Sequence, residues 1–439
     1  MNPAREEALR SLVRCEKEGR YSNIELSGTL SRTEMSPADR GLYTRLVYGV
    51  IEKKLTLDYL IGCWSDRPVA SLDATVKNLL RMGVAQILYF DRVPDHAAVD
   101  ESVELAKKAC KSASGFVNAV LRRAVREKGS AGTLLPAGEG ADALSVRYSF
   151  PVWMCEKFLA ECGEARTEAL LRAFDEVPPM TLRVNTLRTT REALLSELEN
   201  AGIEAAPTPY SPHGIRLRAA VSDLAPLREG ECFVQDEASQ LCVLALGAKP
   251  GERILDCCAC PGGKSFGIAM EMENEGELLS CDLHANKLSL VRSGAGRLGI
   301  SIVETAAKDG GVRDEALVGR FDRILCDLPC SGLGVMAKKP DLRYKKEEDV
   351  SRLPAIQLRI LQNVADYLRP GGRMVFSTCT ISKAENESVL RAFLAGRSDF
   401  ALVPAEAGAL PLPEGFLTLY PDTHGTDGFF ISVLERKEC

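Results

Sequence analysis

No apolar run in this 439-residue chain approaches the length of a membrane span, so a helical bilayer crossing is excluded. Residues 1–20 mix Arg, Glu and Lys through their apolar side chains and lack the continuous apolar core of a secretory signal. There are only four histidines, and no second cysteine pair at finger-like spacing accompanies Cys257-x-x-Cys260, so no metal centre is expected. The loop around those cysteines has neither the dinucleotide fingerprint nor the P-loop spacing. Internal repeats and low-complexity tracts are lacking too.

Cysteine, by contrast, is plentiful. Fifteen of them, an odd number scattered along a chain with no secretory signal, predict reduced thiols in a cytoplasm. Hydrophobic residues at 45% and charged residues at 26% are the balance of a soluble globular protein, and the length suggests two or three domains. The net charge of −6 is unevenly spread: residues 1–135 carry 21 Lys and Arg against 17 Asp and Glu, leaving 34 against 44 in the remainder. A polyanionic partner therefore has to be met by the amino-terminal part or by a local basic cleft.

Four stretches follow from the patterning. Residues 1–128 place apolar side chains at helical spacing (Leu42, Leu46, Val47, Val50; Val76, Leu79, Leu80, Val84; Phe116, Val117, Val120, Leu121) and predict an all-helical domain. Residues 129–141 are rich in glycine and small side chains and read as a linker. Residues 142–232 read as a small α+β module, helical over 146–174, with strands at 181–185 and 214–217 around a helix at 191–201. From about residue 233 to 439, short apolar runs at 254–255, 278–280, 321–326 and 373–376 alternate with helical stretches, the mark of a doubly wound parallel sheet.

The chemistry-bearing residues fall at the ends of those runs. Cys330 in Asp327-Leu328-Pro329-Cys330 and Cys379 in Ser377-Thr378-Cys379 each follow a predicted buried strand. A lone cysteine is most often a core thiol, but two that leave neighbouring strand ends would meet at the carboxyl edge where open α/β sheets carry their sites. Cys258-Ala259-Cys260-Pro261-Gly262-Gly263-Lys264 links the strand ending in Asp256 to a helix, and its glycines allow close backbone approach to a ligand. Asp282, Asp309 and Asp327 stand at or just beyond three further strand ends.

Asp256 to Lys264, Asp327-Leu328-Pro329-Cys330-Ser331-Gly332 and Ser377-Thr378-Cys379 resemble the signatures of S-adenosylmethionine-dependent RNA cytosine-C5 methyltransferases. Gln235-Asp236-Glu237-Ala238-Ser239-Gln240 and Asp427-Gly428-Phe429-Phe430 look like flanking segments of the same family. Leu46-Val47-Tyr48-Gly49-Val50, His96-Ala97-Ala98-Val99-Asp100-Glu101 and Gly115-Phe116-Val117-Asn118-Ala119-Val120-Leu121-Arg122 resemble a NusB-like RNA-binding domain. That fusion looks like the bacterial 16S rRNA methyltransferase B subfamily. Cys257 and Cys260 depart from the family, which more often has other small or apolar residues there.

The resemblance implies a Rossmann-like catalytic domain binding S-adenosyl-L-methionine along Cys258, Ala259, Cys260, Pro261, Gly262, Gly263, Lys264, Asp282, Asp309 and Asp327. It implies Cys379 as the thiolate attacking cytosine C6, Cys330 as the residue assisting release, and Asp327 as a partner of the base or cofactor. The target base has to be unpaired or flipped out of its helix. The implied partner is 16S ribosomal RNA or a small-subunit assembly precursor, with no membrane, and the protein a monomer. Lys338, Lys339 and Arg343 are candidate phosphate holders, and Arg183 and Asn185 candidate RNA contacts. Two other readings stay open at this point: a transfer RNA substrate, and a noncatalytic RNA-binding or ribosome-assembly factor.

Overall fold

The computed structural model describes residues 3–218, 221 and 224–438. The chain forms two compact units. One runs to Glu176 and takes in Met336–Lys345; the other comprises Val177–Val335 and the chain from Lys346 onward.

The first unit is helical, as its spacing predicts: Pro3–Glu18, Ser22–Arg32, Pro37–Glu52, Lys54–Trp64, Ala74–Tyr89, Asp95–Ala109 and Ser114–Glu127. Ser36 and Asp73 cap two of these helices by accepting from the amides of Asp39 and Thr75. Leu46, Val47, Leu79, Val84, Val117 and Leu121 meet in one buried core. Gly83 lets two helices close on each other, because a Cβ there would lie 2.6 Å from the Leu121 side chain. Within the glycine-rich stretch lies a short helix, Ala131–Leu134, whose Ala131 joins the same core. The stretch read as continuously helical over 146–174 is interrupted at Ser149–Pro151 and at Gly163, giving Ala141–Tyr148, Val152–Cys162 and Glu164–Ala173. Proline fixes the first break, and Gly163, at φ +76°, the second.

The second unit opens with a small α+β module. Its strands β1 (Met180–Val184), β2 (Ala205–Pro207), β3 (Gly214–Leu217) and β4 (Cys232–Val234) pair antiparallel in the order β2-β3-β1-β4 around the helix Arg191–Asn200. Leu182, Val184, Leu194, Leu198 and Ile215 form its core. The three-residue strands β2 and β4 escape the sequence pattern, being too short for a periodic signal, and Pro207 is tolerated because β2 is an edge.

The larger sheet contains β5 (Arg253–Asp256), β6 (Glu277–Asp282), β7 (Val303–Ala307), β8 (Phe321–Asp327), β9 (Leu368–Thr378), β10 (Phe400–Leu402), β13 (Phe416–Leu419) and β14 (Phe429–Arg436); β11 (Ala405–Ala407) and β12 (Leu410–Leu412) form a separate hairpin. Its order is β10-β14-β9-β8-β5-β6-β7, with β13 also on β14. Strands β9, β8, β5, β6 and β7 are parallel, as expected, but β14 runs antiparallel to β9, β10 and β13, so the sheet is mixed. The connection 420–428 into β14 is shorter than the crossover a parallel pairing requires. Ile324, Leu325 and Cys326 on β8 and Met374, Val375 and Phe376 on β9 are all fully buried, which is why central strands read as unbroken apolar runs.

Candidate active site

Register brings the two cysteines together. Strands β8 and β9 are parallel neighbours with Asp327 opposite Ser377, so both chains leave the sheet at the same carboxyl edge. The Sγ atoms of Cys330 and Cys379 lie 3.3 Å apart. Their hydrogen bond, together with burial, pushes the Cys330 thiol well above the usual cysteine range, so Cys330 holds its proton at neutral pH.

An acid and a base stand beside the thiols. The Lys264 ammonium donates to Asp327 Oδ2 at 2.7 Å, and Ser377 Oγ donates to Asp327 Oδ1 at 3.0 Å. Burial, the largest single influence, lowers the Lys264 pKa, but the Asp327 charge and hydrogen bond together with the Cys242 and Cys379 sulfurs outweigh it, and the ammonium is held above its ordinary value. The same ammonium sits 5.0 Å from the centre of the Phe429 ring. Lys264 thus connects the glycine loop to the strand end that precedes Cys330.

Both cysteine loops rest on a buried polar pair, Glu385-Asn386. Glu385 accepts from the Ser331 amide at 2.7 Å and from the Ser331 hydroxyl at 2.6 Å. Asn386 accepts from Thr378 Oγ1 at 2.6 Å and donates to the Thr380 carbonyl at 2.9 Å. The Ser331 and Thr380 hydroxyls are 2.8 Å apart, closing the network.

The loop after β5 curls over the next strand. The Ala259 amide donates to the Cys281 carbonyl at 2.8 Å, the Cys260 amide to Asp282 Oδ2 at 3.3 Å, and the His284 amide to Asp282 Oδ1 at 2.9 Å. Gly262 takes φ +113°, where a Cβ would fall 2.5 Å from the Phe266 ring. Asp256 is fully buried, accepts from Ser265 Oγ at 2.6 Å, and is pushed up to about 7, chiefly by burial. The Cys258 amide also lowers its pKa slightly, and Gln235, whose Nε2 lies beside Gly263, keeps a buried Oε1 without a hydrogen bond. Asp309 is exposed in the loop after β7, where it accepts from the Gly311 amide. Cys258 and Cys260 are held in the thiol form, Cys258 mainly by its contact with Cys257 and Cys260, pushed up to about 12, by burial and the Asp282 charge.

Three families match this chain in sequence: "16S rRNA methyltransferase RsmB/F" over residues 243–435, "NusB family" over 2–126, and an RsmF/B-like ferredoxin-like domain over 150–222. A probable ribosomal RNA small subunit methyltransferase B from Bacillus subtilis is 36% identical, covering 99% of this chain and 98% of that protein. The chain belongs to the ribosomal RNA small subunit methyltransferase B family. The Salmonella typhi methyltransferase B is 35% identical, over 92% of each chain. The crystal structure of PH0851 superposes at a TM-score of 0.81 with 25% identity, covering 98% of this chain and 99% of that one. A methyltransferase homologue from Pyrococcus horikoshii gives 0.60 at 28% identity, over 69% of this chain and all of that one.

In this chain, three expected RNA contacts are internal. Arg343 is fully buried in the helical unit: it donates to the carbonyls of Phe174 (2.6 Å), Glu52 (3.2 Å) and Tyr148 (3.3 Å) and to Asp175 (3.0 Å), and stacks 4.4 Å from the Phe150 ring. Fully enclosed by the fold, its guanidinium does not reach solvent to meet a phosphate. Arg183 is likewise buried, bonded to Glu271 at 2.7 Å, and Asn185 donates to the carbonyls of Gly230 and Leu298. Lys338 is half-buried and Lys339 exposed. Sequence reading passed over Glu385 and Asn386, since Lys383-Ala384-Glu385-Asn386-Glu387 looks like a solvated helix start. The only available signal was their position a few residues after Cys379.

Proposed function

We propose that this protein methylates C5 of a cytosine in 16S ribosomal RNA with S-adenosyl-L-methionine, through a covalent cysteine–C6 adduct. Supporting this reading most directly is the pair of thiols 3.3 Å apart at adjacent parallel strand ends, flanked by the Lys264–Asp327 ion pair. In this assignment residues 233–439 carry the chemistry, residues 1–128 capture RNA, 142–232 add a wall to the cleft, and 129–141 join the parts. The cofactor lies along residues 258–264, Asp282, Asp309 and Asp327, where the buried, unbonded Gln235 Oε1 beside Gly263 suits its ammonium group. Once bound, it supplies an electrophilic sulfonium methyl.

The protein's residues do the rest. Cytosine C5 is a poor nucleophile until the Cys379 thiolate bonds to C6, which makes C5 enamine-like and able to take the methyl. The ring takes a proton from solvent as the adduct forms; Cys330, which starts protonated, gives its own proton to solvent, and its sulfur then accepts the C5 proton. The C6–Sγ bond breaks as the C5–C6 double bond returns, the Cys379 thiolate is restored, and one net proton leaves to solvent. Asp327, held by Lys264 and Ser377, serves the polar edge of the base.

Mass spectrometry of ribosomal and transfer RNA from cells with and without this protein tests the substrate. A 5-methylcytosine lost from 16S rRNA is expected, and unchanged ribosomal RNA refutes it. Cys379→Ala should abolish methylation and adduct together, whereas Cys330→Ala should leave a trapped protein–RNA adduct. Identical behaviour of the two variants removes the assignment of roles.

A further inference from the structure

We propose that Glu385 and Asn386 are positioning residues that divide the covalent cycle between them, Glu385 holding Cys330 for release and Asn386 holding Cys379 for attack. The inference rests on the cysteine roles assigned above. Each grips the backbone or side chains next to one cysteine.

The chemistry of each side chain matches the groups it meets. Ser331, immediately after Cys330, presents two donors, its amide and its hydroxyl, at 2.7 and 2.6 Å from the two Glu385 oxygens. Only a carboxylate supplies two acceptors in that arrangement; an amide supplies one. Around Cys379 the demand is mixed, a Thr378 hydroxyl that donates and a Thr380 carbonyl that accepts, and Asn386 meets both at 2.6 and 2.9 Å. Asn386 therefore spans Cys379 from both sides. Because Ser331 Oγ donates to Glu385, the Thr380 hydroxyl is the donor in the 2.8 Å bond that links the two halves.

Burial makes these contacts specific. Glu385, Asn386, Ser331, Thr378 and Thr380 are all fully buried, so water cannot replace a lost partner cheaply. Loss of the Glu385 carboxylate frees the Cys330 loop while leaving Asn386 on either side of Cys379. Attack then continues and release falters. Loss of the Asn386 amide frees Cys379 itself, so the adduct does not form.

The test uses the full chain, S-adenosylmethionine and a 16S rRNA transcript, reading methyl transfer and, on denaturing gels, the covalent adduct. Glu385→Ala should lower turnover by roughly tenfold to a hundredfold while the adduct rises above the wild-type level. Asn386→Ala should lower both together, and Glu385→Gln, retaining one acceptor, should fall between wild type and Glu385→Ala. Cofactor binding by calorimetry establishes that each variant is folded; if Glu385→Ala is not, Ser331→Ala decides, with a raised adduct expected and a wild-type adduct overturning the proposal. Loss of adduct in Glu385→Ala, or equal effects of the two alanine variants, also overturns it. A wild-type chain that forms neither product nor adduct instead overturns the cytosine-C5 reading beneath it.

Discussion

Lys264, in the glycine loop, and Asp327, at the end of β8, form an ion pair of 2.7 Å next to the thiols. The pair joins the segment assigned to the cofactor with the strand assigned to the base. Removing one partner of a largely desolvated charge pair costs about 2–5 kcal/mol. Lys264→Met should therefore lower kcat by about a hundredfold, with Lys264→Arg retaining part of the activity. Calorimetry and kinetics separate the possibilities: a variant that loses cofactor affinity but turns over normally at saturation would show that Lys264 serves binding alone.

Asp256 gives the folded state a pH dependence of known sign. Its pKa is about 7 when buried against 3.8 ordinarily, so between about pH 4 and pH 7 the unfolded chain ionises this group while the native one keeps its proton. Stability from this group is greatest below that window and declines as pH rises through it, by on the order of a few kcal/mol. Asp256→Asn should flatten this part of the profile. Thermal unfolding from pH 4.5 to pH 8 checks it, and an unchanged slope in the variant would count against the burial argument.

Arg343 bears on stability rather than on RNA affinity. Replacing it with Met leaves several carbonyls and Asp175 short of a donor, although Lys53 still reaches Asp175 at 2.5 Å. The expected cost is about 3–5 kcal/mol, seen as a lower Tm. Below that transition the salt dependence of RNA binding should match the wild type, because no phosphate contact is removed. A shallower salt slope would restore Arg343 to the interface.

Gly334 allows the segment after Cys330 to lie against the entry to β14. Its amide donates to the Cys379 carbonyl at 3.0 Å, and its carbonyl accepts from the Gly428 amide at 2.8 Å. A Cβ at 334 would fall 1.8 Å from the Gly428 carbonyl oxygen, and main chain cannot swing aside as a side chain does. Gly334→Ala should cut methylation by about a hundredfold, as displacement by about 1 Å does. Cofactor binding should persist, since the loop after β5 is untouched. Wild-type turnover would sink the argument.

Strand ends were legible because buried parallel strands announce themselves as short apolar runs, and the residues that follow them are then placed by topology alone. Cys330, Cys379 and Asp327 come together for that reason. Arg343, Arg183 and Asn185 were misjudged because sequence reports a charge or an amide but not what surrounds it. A guanidinium buried among carbonyls and a solvated one are spelled alike. Glu385 and Asn386 were missed from the opposite direction, as polar residues whose burial depends on the fold of two loops far apart in sequence. The short connection from β13 makes β14 run against it, a direction the apolar pattern leaves open.

The register of β8 on β9 has a bearing on how such a chain can change over time. Asp327 faces Ser377 through main-chain bonds within the sheet, so the meeting of the two sulfurs is fixed at the strand ends. Beyond the Cys330–Gly334 turn, residues 336–367 form an excursion before β9 whose length the sulfur separation does not register. Segments can be inserted, shortened or exchanged there while the reactive pair keeps its spacing. The fold thus leaves room to retarget the catalyst without rebuilding it.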